Sequence, residues 1–360
     1  MLRYILKRLL YGLLVLLGVV TLLFLLFNIL PGDPARMMLG QRADAESIEI
    51  INRDLGRDKP LATQYLAYLN DLAPLSLHNN EDASSFWYLD PDKYSSATTL
   101  LRMGHTSLVL KAPYLRRSYQ SKRKVSEIIA TAFPQTAILA LTAMLFALVV
   151  GLLLGIVCAL HKDSWLDRLT LFISTLGMSL PSFFAAILIA WLFAYILADI
   201  THLNMFGNLY AVDDYGCGQY IELKNLILPA FTLGIRPLSV LVQLTKSSLL
   251  DTLSQDYIRT ARAKGMPRRR LIWRHALRGA LNPIVTSASG WLASLLAGAV
   301  FVEYVFDWKG MGVVIVDGLD KYDFPVVMGA ILFISVLLVL INILVDILYG
   351  WLDPRVRITD

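Results

Sequence analysis

Residues 128–161, IIATAFPQTAILALTAMLFALVVGLLLGIVCALH, run for 34 positions without one charged side chain. A helix needs about 20 predominantly apolar residues to cross a bilayer, so this stretch alone takes the chain out of the soluble class. Four similar runs accompany it: 24 residues between Arg8 and Asp33, 30 between Arg168 and Asp199, 24 between Arg278 and Glu303, and 22 between Asp323 and Asp346. A sixth, Asn225 to Thr245, is apolar except for Arg236, which stands beside Pro237. In lipid every backbone amide must pair within the protein, which predicts helices for all six. Composition agrees, with 56% hydrophobic and 17% charged residues in 360. Soluble domains carry roughly 45–50% and about 25%. A soluble globular domain is thereby excluded, and so is intrinsic disorder, which needs low hydrophobicity and high charge.

The first run has a basic start, Arg3, Lys7 and Arg8. Its apolar stretch is too long for a signal-peptide core, and Leu30-Pro31-Gly32-Asp33 is no small-x-small cleavage site. It reads as a retained anchor. Lys and Arg set the orientation. With the N-terminus cytoplasmic, the inside segments are 1–8, 161–168, 246–278 and 347–360. Residues 250–280 carry Arg259, Arg262, Lys264, Arg268, Arg269, Arg270, Arg274 and Arg278 against only Asp251 and Asp256. The outside segments 199–224 and 303–323 are net acidic. The long outside segment, roughly 31–127, holds 13 basic residues, but long loops do not count in this rule. Within it, residues 33–72 have helical spacing and 73–126 are polar with a basic end, which suggests a small extracytoplasmic lobe or a partly ordered loop.

Catalytic signatures are missing. There is no G-x-x-x-x-G-K-[ST] phosphate loop, no H-E-x-x-H and no G-x-S-x-G. The five histidines are scattered through loops, and two cysteines, Cys158 and Cys217, allow neither a disulfide framework nor a Cys-rich zinc site. No catalytic residue, metal site, cofactor or nucleic-acid partner is expected. Intramembrane charge is the usual flag for function. Arg236 is the clear case, read either as a snorkelling or ion-paired structural residue or as part of a polar pathway. Scarce buried acids argue against a proton-coupled pump.

The cytoplasmic segment 251–283 is the most informative. Leu253, Tyr257, Ile258 and Ala261 recur at helical spacing opposite Arg259, Arg262 and Lys264. Gly265-Met266-Pro267 then breaks the helix, and a second helix is expected from Arg268 to about Ala280. Physics alone leaves two occupants open for this helix–turn–helix: anionic lipid or a protein partner.

At this point the residues match a known family. Asp256-Tyr-Ile-Arg-Thr-Ala-Arg-Ala-Lys-Gly265, Arg274-His-Ala-Leu-Arg278 and Asn282-Pro283 resemble the coupling loop of bacterial ABC-importer permeases, in particular the B-type subunit of the dipeptide/oligopeptide/nickel branch. Of the general Glu-Ala-Ala-x-x-x-Gly pattern only Ala261 and Gly265 match. Leu30-Pro-Gly-Asp-Pro34, Leu55-Gly-Arg-Asp-Lys-Pro-Leu61, Ser179-Leu-Pro-Ser-Phe183 and Glu303-Tyr-Val-Phe306 with Gly310-Met-Gly312 are similar to further stretches of that branch. The resemblance implies an all-α polytopic inner-membrane protein of six transmembrane helices, with a type I importer core and an extracytoplasmic lobe between helices 1 and 2. It divides the chain into an anchor helix (1–32), an extracytoplasmic segment (33–127) with an insertion at about 73–105, a five-helix permease core (128–351) with coupling loop 250–280, and a cytoplasmic tail (352–360). It also implies a second homologous permease, two ATP-binding cassette ATPases and an extracytoplasmic solute-binding protein as partners, with ATP hydrolysed on those separate subunits. In this frame Tyr257, Ile258, Arg259, Ala261, Arg262, Lys264 and Gly265 face the ATPase, and Arg236 is a candidate for the translocation path of a peptide or similar small solute such as a nickel chelate. A self-sufficient secondary transporter or channel is the competing reading. It would call for intramembrane carboxylates or paired broken helices.

Overall fold

The computed structural model describes residues 2–29, 58–80, 85, 87–91, 93–94, 96–212 and 218–352. The Leu30–Pro34 motif, most of the 33–72 helix, Cys217 and the tail from 353 lie outside them. Four helices are long and apolar enough to span a membrane: Leu6–Phe27 within α1 (Leu2–Ile29), α3 (Val125–Leu160), α6 (Lys224–Leu253), and Phe324–Val345 within α11 (Phe324–Leu352). Between α1 and α3 lie α2 (Leu61–Leu72) and strands β1 (Leu75–Asn79), β2 (Thr98–Met103) and β3 (Thr106–Leu110).

Two of the expected spans take a different form. The run 169–198 is not one straight helix. It is α4 (Trp165–Ser179) followed by α5 (Ser182–Trp191), which continues as a π-helical turn to Ile196, and the two are bent by 112°. The bend falls at Leu180-Pro181, where both residues are extended. Proline disfavours helix in the residue before it, so the break has a local cause. The run 279–302 is helical as α8 (Leu277–Gly298), but Asn282, Thr286, Ser287, Ser289 and Ser294 keep it out of the strongly apolar set. The span that carries Arg236 is one continuous helix, as expected. Pro229 and Pro237 both lie inside the 30 residues of α6.

The chain divides into two compact units. The first comprises Met1–Leu9, Ala132–Val313 and Leu337–Asp360. Its core joins Leu139, Ala140, Ala143 and Ala147 of α3, Ala186 and Ala190 of α5, Leu233 and Leu241 of α6, and Ile284 and Leu295 of α8. Alanines are as frequent as leucines in it, in keeping with helices in lipid associating by close backbone packing rather than by the hydrophobic effect. Gly151 and Gly155 of α3 show this most directly. A Cβ on Gly155 would lie 2.5 Å from the Thr245 Cβ, and one on Gly151 would lie 2.9 Å from that of Leu241. This unit also holds the hairpin strands β4 (Tyr210–Val212) and β5 (Gln219–Ile221), helix α7 (Asp256–Ala263) and the short helix α9 (Val300–Val305).

The second unit comprises Leu10–Thr131 and Val314–Val336. Phe24 and Phe27 of α1, Tyr68 of α2, and Phe324 and Met328 of α11 form its core. The Phe24 and Tyr65 rings lie 5.1 Å apart, and Phe27 and Phe324 5.0 Å. Strands β1, β3 and β2 form an antiparallel sheet in that order. An all-α reading therefore needs amending to mostly helical. The strands escape notice in the sequence because each is only five or six residues long and mixes Ser, Thr, His and Asn with leucine. Lys111 anchors the lobe by donating from Nζ to the Asn70 and Asp71 carbonyls at 2.9 and 2.7 Å, and its ammonium lies over the Tyr94 ring. Asp323 fastens the turn at 118–121, accepting from the Ser118 hydroxyl and from the Tyr119 amide at 2.9 Å.

Candidate functional site

Helix α7 starts after Gln255, whose backbone is extended, and carries Asp256 in its first turn and Arg262 in its last, as the helix dipole favours. Its end is a closed hydrogen-bonded cap. The Gly265 amide donates to Arg262 O at 3.0 Å and the Met266 amide to Ala261 O at 3.3 Å. That is the Schellman pairing, and Gly265 takes the left-handed position with φ +76°. An added Cβ there would meet nothing within 4 Å. The glycine is thus required by backbone conformation, in keeping with the helix break expected there, and not by close packing. Met266 and Ala261 pack against the same core cluster, which completes the apolar contact typical of this cap.

Ile258 is fully buried, in a cluster with Ile156 and Ala159 of α3, Leu249 of α6, Leu271 and Ala276, and Leu277 and Ala280 of α8. The cluster thereby joins α7 to residues of three long helices. This differs from the expectation that Ile258 offers apolar contact to a partner: it faces the chain's own core. Ala261 is half-buried against that cluster, so it does not form the outer face either. Tyr257, 49% exposed, remains available, with its hydroxyl over Gly279. Arg259, Arg262, Lys264 and Gly265 are exposed, as are Arg268, Arg269, Arg270, Arg274 and Arg278. The Arg259–Asp256 pair is 3.5 Å long and open to solvent, which makes it energetically minor.

The second helix of this segment does not stop near Ala280. Arg268–Arg270 leads into a π-helical turn, Leu271–Ala276, which runs straight into α8 through Pro283. A continuous rod therefore connects the basic surface to a long helix. Trp273, 52% exposed among these arginines, was passed over in the sequence reading. A lone aromatic inside an Arg-rich run was the signal for it.

Two cations on α6 contrast. Lys246 donates to Asp167 of α4 at 2.8 Å, and that carboxylate is almost wholly buried. Asp167 also accepts from the Asp163 amide at 3.0 Å. Arg236, ten residues earlier, is exposed and makes no ion pair or hydrogen bond with any described residue. No ion pair thus supports the structural reading among the described residues.

A further buried charge was read only as part of an outer loop. Glu303 of α9 is fully buried. It accepts from Thr136 Oγ1 of α3 at 2.6 Å and from the Gly312 amide at 2.6 Å. Thr136 Oγ1 in turn accepts from the Met311 amide at 2.8 Å, and Trp308 Nε1 donates to Gln135 O at 3.0 Å. A Cβ on Gly310 or Gly312 would collide with the Glu303 carboxylate, so both glycines are there to let it in.

Residues 151–358 match the family described as binding-protein-dependent transport system inner membrane component, and residues 1–82 match its N-terminal companion family. The chain is 32% identical over 373 residues to a dipeptide transport system permease protein of Alkalihalophilus pseudofirmus, covering 99% of this chain and all of that one. It is 35% identical over 357 residues to a glutathione transport system permease protein of Salmonella typhimurium, and 36% over 374 residues to a di/tripeptide transport system permease protein of Pseudomonas aeruginosa, each with 99% coverage of both chains. Its fold resembles a chain of the MetNI methionine ABC transporter in inward-facing conformations, with a TM-score of 0.50, 15% identity, and coverage of 63% of this chain and 97% of that one. The chain belongs to the binding-protein-dependent transport system inner membrane components and is a multi-pass permease subunit of an ABC importer.

Proposed function

We propose that this permease carries peptides or closely similar small solutes and forms half of their path, the other half coming from a second homologous permease. Six spans with both termini cytoplasmic place the 250–280 segment inside and residues 33–127, with the three-stranded sheet, outside. Residues 128–351 form the shared core, with 1–32 as anchor and 352–360 as tail. An extracytoplasmic binding protein delivers the solute. Two ATPase subunits dock on the coupling loops of the two permeases and drive them. The names of the relatives, dipeptide, di/tripeptide and glutathione permeases, support the solute class.

The observation that carries the coupling reading is the burial of Ile258 in a cluster shared by α3, α6 and α8. A push on α7 enters a packed cluster to which three long helices contribute, and packed cores transmit strain rather than absorb it. A helix resting on lipid would instead turn its apolar face to the bilayer. Here the apolar face is used internally and the exposed side is basic, suited to orienting a protein partner.

The test uses Ala263, which is small and exposed at the end of α7. A photo-crosslinker on Ala263→Cys in the assembled importer should yield an adduct with the ATPase subunit. Adducts only with lipid or with the partner permease would overturn the coupling reading.

A further inference from the structure

Arg236 is the observation left unused. It lies eleven residues after Asn225 and ten before Lys246, a rise of about 15 Å in each direction, in a hydrocarbon layer about 30 Å thick. Arginines snorkel from helix ends, not from the middle of a span. A charge held there without a counter-ion points to a water-filled surface or to a partner that arrives from outside the chain.

The surroundings favour water. Gln243 and Ser247, seven and eleven residues on, are exposed on α6 like Arg236. At 3.6 residues per turn the three share one narrow face. On α8, which packs against α6, the exposed positions include Asn282, Thr286 and Ser294. Exposed positions on α3 are of the opposite kind: Leu141, Leu145 and Leu153 are 56%, 63% and 49% exposed. One set of exposed surfaces suits acyl chains and the other does not.

We infer that Arg236 is a specificity-determining residue which receives the carboxylate of the travelling solute on a polar wall of the path made by α6. The inference rests on the peptide reading above. A guanidinium presents paired donors that match a carboxylate, and the terminal carboxylate is the anionic group shared by peptides whatever their side chains. With no acid among the described residues occupying it, the guanidinium is free to engage and to release. Transit needs such a site to bind strongly enough to admit the solute and weakly enough to let it go.

The experiment uses the complete importer in proteoliposomes, with Cys158→Ala and Cys217→Ala as background. In one arm, Gln243→Cys is exposed to anionic and cationic methanethiosulfonates of similar size. Both should react, with the anionic reagent favoured, and adding Arg236→Gln should reduce that preference at least fivefold. In the other arm, ATP-driven uptake of trialanine should fall at least tenfold in Arg236→Gln and stay within threefold of wild type in Arg236→Lys. No reaction at position 243, an unchanged reagent preference, or undiminished uptake in Arg236→Gln would each overturn the inference. So would equal loss in Arg236→Lys and Arg236→Gln with failed assembly of both, the mark of a structural residue. If wild type does not carry trialanine while the reagent preference holds, the peptide reading fails and the anion-receiving role of Arg236 stands.

Discussion

Glu303 and Arg236 are two ionisable residues on helices of the same unit, and they are treated in opposite ways. Glu303 is sealed off, with Thr136, Gly312 and two glycine-sized spaces arranged around its carboxylate. Arg236 is exposed and has no ion-pair or hydrogen-bond partner among the described residues. Lys246 and Asp167 follow the pattern of Glu303: each has its partner within the chain. A buried charge is tolerated only when hydrogen-bonded or paired. A charge that the chain supplies with partners holds the structure together, and a charge left open is reserved for something outside the chain.

The strongest way to break this comparison is Glu303→Leu. It leaves the Thr136 hydroxyl and the Gly312 amide without their acceptor, at a cost of about 1–3 kcal/mol for each buried donor left unsatisfied. The buried Cys158 thiol reports unfolding directly, so the onset of its reaction with a thiol dye on heating should drop sharply in a Cys217→Ala background. An unchanged onset would mean that the Glu303 network is not structural and that the contrast with Arg236 is empty.

A smaller effect sharpens the same contrast at the coupling loop. Gly265→Val puts a β-branched residue at φ +76°, a strain of about 1–3 kcal/mol, with no collision to add to it. The protein should remain folded by the Cys158 measure while the ATP hydrolysed per solute imported rises. Normal coupling in this variant would remove the rigid cap of α7 from the mechanism.

The smallest effect concerns the lobe. His78 is buried, its Nε2 3.0 Å from the Ser76 hydroxyl and its Nδ1 without a well-formed hydrogen bond among the described residues. Burial first, and the Lys111 ammonium second, hold its pKa below the usual 6.5. The unfolded chain therefore binds the proton more readily. The neutral ring's contribution is complete above pH 6.5 and is lost progressively as pH falls below it. Hydrogen exchange of β1 and β3 should quicken modestly from pH 7 to pH 5.5, after correction for the intrinsic pH dependence of exchange, and His78→Phe should flatten that dependence. A pH-independent wild type would show that this nitrogen costs nothing.

The spans were legible because a charge in hydrocarbon is expensive, so uncharged runs of 22 to 34 residues leave few alternatives. The break at Gly265-Met266-Pro267 was equally legible, since a left-handed cap and a ring without an amide hydrogen are local properties. The same local logic was present at Pro181 and was overridden by the length of the apolar run, which is why α4 and α5 were taken for one straight span.

Other features depend on which surfaces meet. A 3.6-residue period places Ile258 on an apolar stripe but cannot say whether that stripe meets a partner or the chain's own α3, α6 and α8. Residue type alone does not separate Glu303, buried among groups from α3 and from residues 311–312, from any other acid in an outer loop. Nor does it separate the paired Lys246 from the open Arg236 ten residues away. Hydropathy and backbone chemistry act over a few residues and are written along the chain. The fate of a charge is decided by groups far away in the chain, 167 residues between Thr136 and Glu303 and 205 between Ser118 and Asp323, and only the folded protein brings those together.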